Sequence, residues 1–290
     1  MLAKTDGGSE YPLYMIINVP KTSLTVTKNW IETEQLNHAP VTVQLYRQLD
    51  GENEELLEGR TAQLSSEAGW NTTFTEIPLC DKYGREYKYF VKEISETEGF
   101  NAKYSDVQKA NSKFSQTVYN VENIDVSIKK VWRDEESQNR PSIKLQLESK
   151  LGEGNWVVTD VQTPLPEKNG SVWTYTYRKL LKYDTNGNMY QYRVKEIPVE
   201  GYVSSDGYAS NGGTITNTIT GKTSFSFEKL WSDTNSNHKN IVIILHRKVN
   251  GGNEETVSAE PSIIKNENSW QYTFDNIERY DSEGRQYIYW

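Results

Sequence analysis

The chain has 290 residues and carries 32 Lys and Arg against 40 Asp and Glu, a net charge of −8. Neither end is basic, which argues against a nucleic acid partner and against an anionic membrane surface. No apolar run is long enough to span a bilayer, so membrane insertion of this segment is not expected.

Aromatic residues make up 12%, with 19 Tyr and 8 Trp, and short β-branched runs alternate with polar residues between Gly, Asn and Asp. That pattern points to an all-β protein. Cys80 is alone, so no disulfide forms within the chain and small domains must be stabilised otherwise.

In chain order, Met15-Ile-Ile-Asn18 stands ten residues before Lys28, the spacing that also separates Asn120 from Lys130. Residues 1–20 are therefore expected to be the closing strand of a preceding repeat, and the chain reads as a segment of a longer array. The next run is Leu24-Thr-Val-Thr-Lys-Asn-Trp30. Residues two apart on a strand share a face, which places Lys28 inward with Leu24, Val26 and Trp30. After Trp70 and the turn Asp81-Lys-Tyr-Gly84 comes Tyr87-Lys-Tyr-Phe-Val-Lys-Glu93. Its parity sets Glu93 with Tyr87, Tyr89 and Val91, and Lys92 on the solvated face. Asn120 shares a face with Val118.

The same features then return. Val126-Ser-Ile-Lys-Lys-Val-Trp132 turns Lys130 inward, Tyr190–Glu196 turns Glu196 inward with Lys195 outside, and Asn217 lies in phase with Ile215 and Ile219. Phe225-Ser-Phe-Glu-Lys-Leu-Trp231 repeats the first element with Lys229. Trp30, Trp132 and Trp231 are 102 and 99 residues apart, a period of one small domain rather than of a solenoid unit. Within the second copy, strands are expected at 125–132, 142–149, 155–161, 172–179, 189–197 and 213–219. Short strands with regular turns in a hundred residues make a β-sandwich. The copies span 21–123, 124–220 and 221–290. The third stops at Tyr287-Ile-Tyr-Trp290, before the Glu and Asn segments, so Lys229 and Asn18 are unpaired equivalents.

A buried unpaired charge costs several kcal/mol or more. A recurring inward Lys, Glu and Asn therefore needs an explanation, and a hydrogen-bonded buried network is one. The ordered pattern, Val-x-Lys-x-Trp, a polar loop with Arg-Pro-Ser-Ile-x-Leu-x-Leu, Trp-x-Tyr-x-Tyr, Asp-x-x-Gly-x-x-Tyr-x-Tyr-x-Val-x-Glu, Gly-Tyr and Ile-Thr-Asn, resembles the B-type repeat of Gram-positive collagen adhesins, the Cna B-type domain. The first copy departs from it with Ala39-Pro40, Phe100 and Tyr119. The resemblance implies tandem inverse immunoglobulin-like sandwiches with spontaneous Lys–Asn isopeptide bonds assisted by an acid: Lys28 to Asn120 with Glu93, and Lys130 to Asn217 with Glu196. Asn123 is an alternative to Asn120.

Other motifs are given structural readings. His38 and His238 occupy equivalent loops and are expected in solvent; with His246 they show no metal or triad spacing. The Asp-x-x-Gly segments are plain turns rather than calcium loops, and no cofactor or metal is expected. Gly221-Lys222-Thr223 lacks the first glycine of a phosphate loop and reads as a linker, as does Pro20-Lys21. Asn71-Thr-Thr73 and Asn169-Gly-Ser171 match glycosylation acceptors. The implied role is a stalk in a longer bacterial cell-surface adhesin, extracellular and wall-anchored through regions outside this segment. Alternatives are direct adhesion to a host extracellular-matrix protein through the loops at 31–40, 133–141 and 232–240, or a pilin-like backbone.

Overall fold

A computed structural model describes residues 2–4, 10–12, 18–135, 137, 139–234 and 237–290. Every named element in it is a β-strand. Leu2–Lys4 and Glu10–Pro12 pair antiparallel. Of the expected closing strand of residues 1–20, Met15–Ile17 lie outside the described residues; Asn18 is exposed and outside any strand.

The first compact unit comprises residues 1–124 and 179–190. Its sandwich has two sheets. One sets Lys21–Ile31 between Asn71–Pro78, antiparallel, and Lys113–Arg133, parallel. The other orders Glu55–Leu64, Val41–Gln48 and Lys88–Glu93. Alternation along Lys21–Ile31 buries Thr22, Leu24, Val26 and Lys28 in turn. The core gathers Leu24, Val26, Val43, Leu45, Tyr89, Val91 and Val118 from both sheets. Tyr89 is fully buried and its hydroxyl donates to the Pro78 carbonyl at 2.6 Å, as a buried phenol requires.

The second unit comprises residues 125–178 and 191–290. Lys113–Arg133 continues into it without a break, although the period divides the copies at 123/124, and pairs there in parallel with Thr214–Ile219. The opposing sheet runs Val157–Val158, Leu145–Leu151, Tyr190–Glu196 and Tyr208–Ser210. Val126, Ile128, Leu147, Tyr177, Val194 and Ile215 are buried between them. The expected strands are present, with two differences. Val157–Val158 is only a short remnant of 155–161, and Glu167–Asn169, Tyr202–Ser204 and Tyr208–Ser210 are additional. These last lie between turn residues and are too short to show a period.

In the third copy Lys222–Leu230 pairs with Ser269–Glu278. Lys222 and Thr223, read from sequence as part of a linker, open that strand, and Lys21 likewise opens its own strand against Pro78. In both places the strand ladder begins three residues before the apolar run, across a register shift. Leu245–Lys248 pairs with only Ile288–Tyr289 on that side. Val242, equivalent to a residue inside Val41–Gln48, is 89% exposed.

Candidate functional site

Both parallel pairings put the same residues side by side. Val118 is opposite Lys28 and Asn120 opposite Trp30; Ile215 is opposite Lys130 and Asn217 opposite Trp132. Each Asn is thus two residues beyond the partner of its Lys, a diagonal that a lysine side chain spans. The glutamate comes from the facing sheet, where Val43 pairs with Glu93.

In the first unit Lys28 Nζ donates to Glu93 Oε2 at 2.8 Å, and Asn120 Nδ2 donates to Glu93 Oε1 at 3.1 Å. In the second, Lys130 Nζ lies 3.1 Å from Glu196 Oε1 and 3.4 Å from Oε2, while Asn217 Nδ2 donates to Oε1 at 3.2 Å. The two lysine side chains are 0% exposed. Burial pulls the lysines from 10.5 down to about 8, overriding the opposing hydrogen bond and charge of the glutamate in each pair. A neutral, nucleophilic amine is therefore accessible near neutral pH. One carboxyl touches both the amine that would attack and the amide nitrogen that would leave.

Asn120 Oδ1 and Asn217 Oδ1 are buried without a hydrogen-bond partner. The glutamate carboxyl faces Nδ2 rather than this oxygen in both units. Asn123 is engaged elsewhere, its Nδ2 donating to Asn101 Oδ1 at 2.9 Å.

Aromatic rings close the site. Lys28 Nζ lies 4.9 Å from the Trp30 ring centroid and Lys130 Nζ 5.0 Å from that of Trp132. Trp132 meets Trp173 and Tyr202 edge to face; Trp30 meets Trp70 and Phe100 in the same way.

The histidines correct the sequence reading. His38 stacks on Trp30 at 3.5 Å and His238 on Trp231 at 4.1 Å, with side chains only 9% and 3% exposed. Each imidazole covers an indole face that would otherwise meet water. The signal in the sequence is their similar distance after the tryptophan, eight and seven residues. Lys229 lies 4.8 Å from the Trp231 ring and donates to the Leu230 carbonyl at 3.2 Å. The Asp-x-x-Gly turns are closed by their own side chains: Asp81 Oδ1 accepts from the Tyr83 and Arg85 amides.

Tandem sandwiches with these paired sites define a class, and the chain belongs to the Cna protein B-type domain family, whose model matches residues 24–123, 126–218 and 225–290. It is 28% identical over 271 residues to the collagen adhesin of Staphylococcus aureus, covering 93% of this chain and 21% of that protein. The chain thus spans about a fifth of that curated relative. Among solved structures it is similar to two B repeat units of the S. aureus collagen binding protein, with 27% identity, 93% and 68% of the two chains covered and a TM-score of 0.27. It is also similar to the pilus adhesin SpaC of Lactobacillus rhamnosus GG, with 13% identity, 83% and 34% covered and a TM-score of 0.31. With TM-scores this low, the fold rests on the strand pairing above.

Proposed function

We propose that this chain is a stalk segment of a bacterial cell-surface adhesin, divided into repeats at 21–123, 124–220 and 221–290. Its first two repeats close intramolecular Lys28–Asn120 and Lys130–Asn217 isopeptide bonds. The observation that supports this most is the meeting of Lys, Glu and Asn at one register offset on the terminal strands of both repeats.

In this reading the ammonium proton passes to the glutamate, the neutral Nζ adds to the Asn Cγ, and the glutamic acid returns a proton to Nδ2 as ammonia leaves. Fixed proximity in a dry core replaces the encounter of two solutes. Each repeat reacts once, so Glu93 and Glu196 serve a single turnover. Among the described residues, Lys229 of repeat three meets the Leu230 carbonyl and the Trp231 ring, and Asn18 is exposed.

A structural role also accounts for the polar loops. His38 and His238 fold onto Trp30 and Trp231 and cover the core there, while residues 33–37 of the first loop are exposed, so the stalk reading is carried by the strand-borne sites rather than by the loops. A host-matrix ligand would be held by other parts of the longer surface protein. Intact mass under denaturing conditions tests the proposal. The chain should be lighter than its sequence mass by two ammonia molecules, and unmodified tryptic peptides at all four positions would overturn it.

A further inference from the structure

The first repeat places a hydroxyl in its site that the second does not share. Thr97 Oγ1 donates to Glu93 Oε1 at 3.2 Å and accepts from Asn120 Nδ2 at 3.2 Å. Both hydrogens of the Asn120 amide are thereby directed, one to the carboxylate and one to Thr97. The threonine is held by a turn in which the Phe100 amide donates to the Thr97 carbonyl at 3.2 Å, with Gly99 at φ +81°. Phe100 in turn packs edge to face on Trp30, the ring over Lys28.

In the second repeat the corresponding loop, Ile197-Pro-Val-Glu200 before Gly201, is one residue shorter than Ile94-Ser-Glu-Thr-Glu98 before Gly99. Counted from the glutamate, the counterpart of Thr97 is Glu200, which is exposed; counted back from the glycine, it is Val199. Neither supplies a hydroxyl. Thr97 and Asn120 both line a cleft of about 660 Å³, with Glu93, Glu98, Phe100 and Asn123 among others. The leaving amide of the first repeat is therefore beside a cleft that could take up ammonia.

Resting on the cross-linking reading above, we propose that Thr97 is a leaving-group residue for the Lys28–Asn120 bond. The Nζ–Cγ bond forms and the Cγ–Nδ2 bond breaks. The Lys28 ammonium and the two amide hydrogens together supply the five protons that end as one on the new amide, three on ammonia and one on Glu93. As Nδ2 gains its proton, positive charge builds on it, and the hydrogen bond to Thr97 Oγ1 strengthens over its ground-state value. An interaction stronger in the transition state than before it accelerates the step. The ammonia is then released on the cleft side.

The test is a time course after cell-free synthesis of the full chain, following the Lys28–Asn120 and Lys130–Asn217 cross-linked peptides by mass. Thr97→Val should slow the first bond by on the order of tenfold, the loss expected for one charge-assisted hydrogen bond, and leave the second unchanged. Thr97→Ser should restore the first. An unchanged rate in Thr97→Val, or a slow Thr97→Ser, overturns the role of the hydroxyl while both bonds still form. Absence of both bonds in the unaltered chain overturns the cross-linking reading itself and the assignment of Thr97 with it.

Discussion

Lys130 and Glu196 hold each other in a space almost closed to water, and each is costly there without the other. Glu196→Ala should abolish the Lys130–Asn217 bond, leaving full mass at that repeat, and lower stability by about 3 kcal/mol, because a buried amine loses its partner; normal bond formation would show that another group moves the proton. Asn217→Ala keeps the pair but blocks the bond, which exposes its titration. Lys130 is held at about 8 in the folded chain against 10.5 as a free side chain. Between those values the unfolded chain binds more protons, so stability should rise with pH. Below pH 8 both states are protonated and the contribution is flat. Tyr175 and Tyr177, pushed up to about 12 by burial, act with the opposite sign above pH 10. Denaturant unfolding at pH 7, 8, 9 and 10 should therefore show the gain between 8 and 10, and a flat or falling profile would mean the lysine stays charged.

Strands and turns differ in how much of themselves they show in sequence. The period of two makes Leu24, Val26 and Lys28 share a face, and the same rule applied to Tyr87, Tyr89, Val91 and Glu93 gives the acid. The aromatic faces covered by His38 and His238, and the reach of Thr97 to Asn120 across 23 residues, are tertiary contacts made from loops, where no period exists to read. The unbroken run of Lys113–Arg133 was hidden because Glu122-Asn-Ile-Asp125 interrupts the alternation, yet its backbone pairing continues. Glycine shows the same limit. Gly84, Gly187 and Gly284 close equivalent turns with φ of +82°, +84° and +78°, but only at Gly284 would a Cβ meet backbone, 2.1 Å from the Arg133 carbonyl oxygen. That turn also brings Glu283 to Arg133 at 2.7 Å and the Gln286 amide to Glu135 Oε1 at 2.8 Å. Gly284→Ala should lift the turn from residues 133–135 and speed amide exchange at Gln286. Gly84→Ala should cost only the left-handed strain, about 1–2 kcal/mol. Equal exchange at Gln286 with and without the Gly284 substitution would show that the close approach does not hold the turn.

Across the chain, the two proposed bonds are joined by residues 120–130 of one strand, so tension entering at Lys28 reaches Asn217 through two side-chain amides and that short stretch. Residues 29–119 and 131–216 are bypassed. Without the bonds, each bypassed segment would release about 300 Å on extension, at roughly 3.4 Å per residue. Single-molecule stretching of the unaltered chain should show no steps of that size from these repeats, and the Glu93→Ala, Glu196→Ala double variant should show two. Steps in the unaltered chain would mean the bonds are absent or lie outside the load path. The parallel ladders add something that does not depend on covalent closure. From Phe114 opposite Leu24 to Val121 opposite Ile31, the terminal strands run side by side in one direction. Pulling the start of one against the end of the other slides them lengthwise and strains all their hydrogen bonds at once, in shear, instead of peeling them one by one like a zipper. A newly folded repeat is thus gripped mechanically before the proposed bond closes.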